Sequence, residues 1–208
     1  IIQCIGRLFI CSVLFLFSAF LSDENDSVLN VAGNFLLNGS STSVFDLNYT
    51  NPGNGTVNLK GNLSVIPTAT LKANNTNQAI FNFNRTDGVV QNINVQSDVP
   101  HIDFVVGSQA YVKLLNNLRI TNNTSLTVNG IFDADDKILS GNSNVNQTLT
   151  VAATGTFKTA NSLGFSGGTA TSVDTSSTNN INVINLASGS TVEYTRAGDQ
   201  VITNQTGV

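Results

Sequence analysis

Short apolar stretches alternate with polar turns along the whole chain after residue 22. In these stretches Asn precedes a large apolar residue, then any residue, then a second apolar residue. The first apolar residues of successive copies lie 25 to 32 positions apart, which indicates an irregular repeat with a period near 29 residues. The copies begin at Asn34, Asn62, Asn92, Asn117 and Asn180, and a variant without the Asn begins at Thr148.

Each copy is followed by one or two further short apolar stretches. A second stretch begins eight to eleven residues later, as at 44–47 or 126–128, and a third often follows, as at 80–83. Two or three brief strands per period, separated by turns rich in Gly, Asn and Ser, are typical of one coil of a β-solenoid. We therefore predict an all-β fold, a right-handed parallel β-helix of about six irregular rungs.

The alternative all-β fold is a β-sandwich built from hairpins. Hairpins would place two-residue turns such as Asn-Gly between matched strands, but the Asn-Gly pairs that begin at 38, 54 and 129 are irregularly spaced. The repeat therefore favours the solenoid. Asn suits a recurring corner because it tolerates left-handed backbone angles and because Asn amides stacked on successive coils can hydrogen-bond in a ladder.

The composition favours strands over helices and argues against some classes of binding partner. Hydrophobic residues make up 40% of the chain and charged residues only 11%, so the strong helix formers Glu, Lys and Arg are scarce. The net charge is −4, and the Lys and Arg residues are scattered singly, which argues against a nucleic acid partner. The Gly-rich stretch 164–168 lacks the Lys of a phosphate-binding loop, so we expect no nucleotide.

The N-terminal segment has the pattern of an export signal. Residues 8–21 form an uncharged run between Arg7 and an acidic stretch, and this run is short for a membrane span of about 20 residues. We expect 1–22 to be a signal peptide, with an uncleaved membrane anchor as the alternative. Both place 23–208, a solenoid domain that we expect to be truncated at its C-terminus, outside the cytoplasm or at the cell surface. Cys4 and Cys11 both precede that domain.

The strongest concentration of acidic residues is at 133–137. If this segment were a strand, Asp133 and Asp135 would lie on one face. The spacing does not match a calcium loop, and the sequence offers no partner carboxyl in an apolar pocket of the kind that glycoside hydrolysis requires. We expect a solvated turn.

The single histidine, His101, excludes a metal site made of several histidines, and we expect it to be a half-exposed turn residue. We therefore predict no catalytic, cofactor-binding or metal site and no cofactor.

Three features of the chain resemble those of a known class of proteins, and the resemblance covers nearly all of 23–208. They are the strand starts of the form N-L-x-V, the small-residue lead-in at 187–194 and the signal-like start. The chain resembles the secreted β-helical repeat proteins and adhesin-like passengers of Gram-negative bacteria, particularly those of the Bacteroidota. The resemblance implies surface display, adhesion or a scaffold role. It supplies no catalytic residues.

Two functional hypotheses follow. The first is a non-catalytic extracellular structural or adhesive β-solenoid, a surface stalk or passenger domain that binds surface glycans or other extracellular proteins through rows of Asn, Thr and Ser. The alternative is a fragment of a carbohydrate-active β-helix protein that binds or cleaves polysaccharide, an analogy at the level of the fold. The cleaving version requires Lys113, Arg119, Asp133 and Asp135 to share one cleft.

Overall fold

A computed structural model of the chain is all-β, and none of the residues that it describes is helical. Within the described part there is thus no helix long and apolar enough to cross a membrane. Of the first three strands only the backbone is described. The described residues are 7–10, 13–15, 19–20, 26–39, 43–48, 54–73, 78–142 and 146–203.

The described strands are short and follow one another closely along the chain. The first twelve are β1 (Arg7–Ile10), β2 (Val13–Phe15), β3 (Ala19–Phe20), β4 (Ser27–Val31), β5 (Phe35–Leu37), β6 (Val44–Asp46), β7 (Gly55–Leu59), β8 (Leu63–Val65), β9 (Thr70–Lys72), β10 (Ala79–Phe83), β11 (Gln91–Val95) and β12 (Val99–Pro100). The next twelve are β13 (Ile102–Val106), β14 (Tyr111–Leu114), β15 (Leu118–Thr121), β16 (Ser125–Val128), β17 (Ile131–Asp133), β18 (Leu139–Ser140), β19 (Thr148–Val151), β20 (Thr156–Thr159), β21 (Ser166–Gly168), β22 (Val173–Asp174), β23 (Val183–Leu186) and β24 (Thr191–Tyr194).

These strands form parallel sheets in which neighbours are usually three strands apart in sequence. Face 1 is the sheet β1-β4-β7-β10-β13-β16-β19-β23, and face 2 is the sheet β2-β5-β8-β11-β14-β17-β20-β24. Face 3 comprises the sheets β3-β6-β9 and β12-β15-β18-β22-β21, which adjoin where Ala73 N donates to Pro100 O at 3.1 Å. One strand from each face makes one coil, and we number the coils 1 to 8 from β1 to β23.

This topology confirms the predicted parallel β-solenoid and excludes the sandwich of antiparallel hairpins. Six successive coils lie between Ser27 and Asp174, and β23 and β24 add a further coil that has no described strand on face 3. The right-handed sense of the coil stays a prediction.

The predicted signal peptide falls largely on residues outside the described part, among them Cys4 and Cys11. The described backbone in this region forms β1, β2 and β3, which pair with β4, β5 and β6. Residues 204–208 also lie outside the described part. The signal peptide, the domain boundary at 22 and the expected truncation at the C-terminus therefore stay predictions.

Coil length varies more than the sequence repeat suggested. Directly paired residues of adjacent coils in face 1 lie 28, 24, 23, 22, 23 and 35 positions apart, so the predicted period near 29 is wrong for coils 3 to 7. The last interval is long because an additional strand, β21, precedes β22 on face 3 of coil 7. The paired residues are Leu29, Val57, Phe81, Phe104, Leu126, Leu149 and Ile184.

Only the first three motif copies are structurally equivalent. Phe35, Leu63 and Ile93 pair with one another in face 2, whereas Leu118 belongs to face 3 and Leu149 to face 1. A polar corner followed by alternating apolar residues is what a strand start requires on any face of a coil. The motif therefore marks strand starts correctly but does not identify the face.

The core is a continuous apolar column between the three faces. Strands such as β7, β10 and β13 alternate strictly between buried and partly exposed residues, as expected for a sheet with one face inside. The rings of Phe81 and Phe83 lie 6.0 and 6.1 Å from that of Phe104 on the next coil. Each such buried side chain contributes about 1.5–3 kcal/mol. Fully buried phenylalanines are Phe35, Phe45, Phe81, Phe83, Phe104, Phe132, Phe157 and Phe165.

Asn side chains link successive coils, but the predicted amide-to-amide ladder is not at the motif residues, whose side chains accept backbone N–H groups instead. On the outside of face 1, Asn58 Nδ2 donates to Asn30 Oδ1 and Asn82 Nδ2 donates to Asn58 Oδ1, both at 2.9 Å. The predicted left-handed backbone is found elsewhere: positive φ angles occur at Asn122 and Asn123 rather than at the motif residues.

Glycines at the corner between faces 1 and 2 allow the coils to approach closely. A Cβ on Gly61, Gly130 or Gly155 would lie 2.1 to 2.3 Å from a backbone oxygen of the preceding coil. No side chain fits at that distance, so the corner requires Gly for space rather than for an unusual φ angle.

Candidate functional site

One line of outward-facing side chains runs along face 2 through seven coils. Its members lie in the strands of face 2 or directly before them. The first three positions are fixed by the pairing of the residues that follow them, Phe35, Leu63 and Ile93. The remaining positions are fixed by the pairing of β11, β14, β17, β20 and β24. We call this line the outer row. It consists of Asn34, Asn62, Asn92, Lys113, Asp133, Lys158 and Glu193.

The first half of the outer row borders a shallow groove of about 260 Å³, which we call the amide groove. Its floor is formed by Phe35 and Leu63, which belong to the core. The first wall is formed by Asn34, Asn62 and Asn92 of the outer row. The second wall is formed by outward residues two positions further along each strand. That wall consists of Leu36, Ser64, Asn94 and Leu115.

The amides of the groove are held in fixed orientations by hydrogen bonds between coils. Asn34 Oδ1 accepts from Asn62 N at 2.9 Å, and Asn62 Oδ1 accepts from Asn92 N at 2.8 Å. Because a backbone N–H can only donate, the atom facing it must be the amide oxygen. Asn94 Oδ1 accepts in the same way from the side chain of Asn116.

The second half of the outer row alternates in charge. Lys113, Asp133, Lys158 and Glu193 are paired in register on four successive coils. Lys158 Nζ lies 3.2 Å from Glu193 Oε1, and Lys113 Nζ lies 2.9 Å from Asp135 Oδ2 and 4.0 Å from Asp133 Oδ2. Opposite charges on adjacent coils thus neutralise one another along the row.

Tyr111 connects the charged residues. Its hydroxyl donates to Asp133 Oδ2 at 3.0 Å, and Lys158 Nζ lies 5.7 Å from the centre of its ring. Burial, together with the hydrogen bond to Asp133, raises the pKa of Tyr111 to about 12. The hydrogen bond to Asp135 raises the pKa of Lys113. Both side chains are therefore fixed in their protonated forms at neutral pH.

The acidic segment is a turn, as predicted, but it is not a solvated one throughout. Asp133 ends β17 and is only 8% exposed, whereas Asp135 lies in the turn with φ of 54°. Asp133 Oδ1 accepts from Asp135 N at 2.9 Å, and its other oxygen faces Tyr111 and Lys113. Asp133 therefore anchors the turn.

Of the four residues that polysaccharide cleavage would require together, three meet and one does not. Lys113, Asp133 and Asp135 share the surface of face 2. Arg119 lies on face 3, where it forms an ion pair with Asp98 and its Nε donates to Gly141 O at 2.9 Å. The proposed cleft is therefore not assembled.

His101 is a half-buried turn residue, as predicted. It has a positive φ of 59°, and its Nε2 lies 3.2 Å from Asn122 Nδ2. Burial lowers the pKa of the imidazole, and the charge of Asp46 opposes this. Among the described residues no three His, Cys, Asp or Glu side chains are grouped so that they could hold a metal ion.

Comparison with known proteins gives no relative: no protein-family model, no curated protein and no solved structure matches the chain. The resemblance to adhesin-like passengers stays a prediction, and the surface of face 2 has to be interpreted from its own chemistry.

Sequence reasoning identified three of the seven residues of the outer row as a repeat without recognising the row as a surface. Asn34, Asn62 and Asn92 were found through their spacing. The importance of Tyr111 and Lys158 was missed, because only the strand register places them beside Asp133.

Proposed function

We propose that this chain is a non-catalytic extracellular β-solenoid that acts as a surface stalk or adhesive passenger domain. The observation that carries the proposal is the outer row, in which aligned side chains offer one continuous surface across seven coils. Repetition of similar groups along a line suits the binding of a long ligand better than chemistry at one point. Placement outside the cell rests on the apolar run at 8–21 and the polar stretch after it.

The state of the ionisable groups supports a structural role for them. Lys113, Asp133, Lys158 and Glu193 have partners on neighbouring coils. Glycoside cleavage needs two carboxyl groups that flank the scissile bond. Asp133 instead lies between the hydroxyl of Tyr111 and the ammonium group of Lys113 on the preceding coil, an arrangement that stabilises the stacking of coils.

The alternative function, polysaccharide cleavage, rests on the meeting of Lys113, Asp133 and Asp135, and one experiment separates the two. The purified full chain is applied to surfaces coated with glycans or with extracellular matrix proteins, and the solution is assayed for new reducing ends. We expect retention on a coated surface without release of reducing ends.

Release of reducing ends that is lost in Asp133→Asn or Asp135→Asn would contradict the proposal. Asp98→Asn is the matched control, because Asp98 is an exposed acid that pairs with Arg119 on face 3. A cleaving enzyme that uses the face 2 acids would keep its activity in this variant.

A further inference from the structure

We propose that the amide groove binds a neutral, extended polysaccharide chain that lies along the solenoid axis. This inference rests on the proposed function and assigns its ligand class and its site. It depends on three features of the groove: the hydrogen-bonding state of its amides, its lack of charge and the spacing of its side chains.

The first feature is a set of oriented donors. The Oδ1 atoms of Asn34 and Asn62 accept backbone N–H groups of the next coil, and Asn94 Oδ1 accepts from Asn116. Their Nδ2 groups have no partner within the part of the chain that the structure describes. Because each Oδ1 is held by a donor of the next coil, the Nδ2 group of each amide is left as a donor for a ligand, and its orientation is set before binding. A ligand rich in acceptor oxygens fits this arrangement.

The second feature is the absence of charge among the lining residues. The described lining consists of Asn, Ser, Leu and Phe side chains. The charges of face 2 begin at Lys113, on the same coil as Leu115 at the end of the groove, and are neutralised there by Asp135 and Asp133. A charged polymer would gain nothing in such a groove. A sugar ring combines hydroxyl oxygens for the amides with C–H faces for Leu36 and Leu115.

The third feature is the spacing of the donors along the axis. Asn34 and Asn62 lie on successive coils, Asn94 lies on the coil after them, and adjacent strands are about 4.8 Å apart. This distance is close to the length of one sugar ring in an extended β-linked chain. Successive rings of a β-1,4-linked chain are turned by about half a turn, so alternate rings present the same side to alternate coils, whereas an extended peptide presents the same side every two residues, about 6.7 Å, and does not keep register with the coils. The spacing therefore favours the glycan.

The test measures binding of defined oligosaccharides to the full chain by calorimetry. The probes are hexasaccharides of β-1,4-linked glucose, xylose and mannose, compared with α-1,4-linked glucose, with β-1,4-linked glucose units that carry carboxylates, and with an extended uncharged peptide. We expect at least one neutral β-linked probe to bind with a Kd below about 1 mM and at least about tenfold tighter than the last three probes.

Variants then locate the site. Ser64→Arg fills the middle of the groove, and Leu115→Arg obstructs its end, where Leu115 is 45% exposed. Thr127→Arg is the matched control, because Thr127 is an outward residue of β16 on face 1. We expect each groove variant to weaken binding by at least about tenfold and the control to bind as the wild type does. Circular dichroism verifies that all three variants keep their strands.

Three results would overturn the inference: no neutral β-linked probe binds, the peptide or the anionic probe binds best, or both groove variants bind as the wild type does. These outcomes are separable from a failure of the proposed function. If the chain adheres to a coated surface and Ser64→Arg adheres equally well, the groove assignment is wrong while adhesion stands. If the probes bind in the groove but are cleaved, the ligand class stands and the non-catalytic function fails.

Discussion

At the scale of single residues, Tyr111 illustrates how one side chain joins several coils. It belongs to β14 of coil 5, its hydroxyl binds Asp133 of coil 6, and Lys158 of coil 7 lies over its ring. Three coils are thus connected through one phenol on the surface of face 2. The hydrogen bond from Tyr111 to Asp133 requires the proton of the hydroxyl. The connection between coils therefore depends on pH.

We expect the stability contribution of Tyr111 to disappear at high pH. Its pKa is about 12 in the folded chain against an ordinary value of 10.0, so the folded state keeps the proton that the unfolded state loses. The contribution is complete below about pH 10 and is lost as the pH rises towards about 12. Urea unfolding across this range should show a steeper fall in unfolding free energy for the wild type than for Tyr111→Phe.

Asp133→Asn provides the control for this effect. It removes the negative charge of Asp133, which helps to raise the pKa of Tyr111, but leaves burial, the largest cause. The slope of stability against pH should therefore lie between those of the wild type and Tyr111→Phe. Identical slopes for all three proteins would show that Tyr111 does not carry the dependence.

At the scale of elements, the turns between face 1 and face 2 determine how closely the coils stack. A Cβ at position 130 would lie 2.3 Å from Gly107 O and 2.4 Å from Ala110 O, and backbone atoms cannot move away as a flexible side chain can. We expect Gly130→Ala to lower the free energy of unfolding by about 1–3 kcal/mol, measured by urea denaturation.

Gly168→Ala is the matched control. A Cβ on Gly168 would have no atom within 4 Å, and its φ angle is not positive. Its unfolding free energy should stay within about 0.5 kcal/mol of the wild type. Equal losses for the two variants would mean that the general properties of Gly, rather than the close approach at the corner, cause the effect.

The strands were largely predictable from the sequence because alternation between apolar and polar residues is a local property. Segments such as β10 and β13 carry it within five residues. The face to which each strand belongs was not predictable, since corners of different length separate the strands. No local sequence pattern shows how many strands or corners lie between two motif copies. This is why the copies at 118 and 149 were aligned with the wrong strands.

The same cause limited prediction of the candidate site. Asn34, Asn62 and Asn92 are 28 and 30 positions apart and were detectable as a repeat, whereas the charged members of the outer row are separated by 20, 25 and 35 positions. A repeat of fixed period cannot align residues that are separated by such unequal intervals. Their alignment is a result of strand register, which depends on inward packing along the whole coil.

At the scale of the whole molecule, each coil depends on its two neighbours, and coil 8 has the weakest support among the described coils. The inward side chains of β23 and β24 are only partly buried, unlike those of the other strands of faces 1 and 2 whose burial is described. Gln200 ties this region to coil 7, because its Nε2 donates to Thr159 O at 2.9 Å and to Asn161 O at 3.0 Å.

Hydrogen exchange should reveal this gradient. We expect the amides of β24 to exchange at least about tenfold faster than those of β14 and β17 in the same face, which corresponds to a difference of about 1.4 kcal/mol in opening free energy. Gln200→Ala should accelerate exchange in β24 further and leave β14 unchanged. Uniform protection from β14 to β24 would contradict a gradient along the axis.

Because the strands cross the axis of the solenoid, the hydrogen bonds between coils point along it. A mechanical load between the ends of the chain therefore pulls directly on the contact between one coil and the next. Each coil that detaches releases 21 to 35 residues, which extend by at most about 3.3–3.6 Å per residue, while the remaining coils keep their pairing. Under tension such a solenoid would lengthen in discrete steps, one for each coil that detaches. Each step would dissipate mechanical work and so limit the force that reaches the remaining coils.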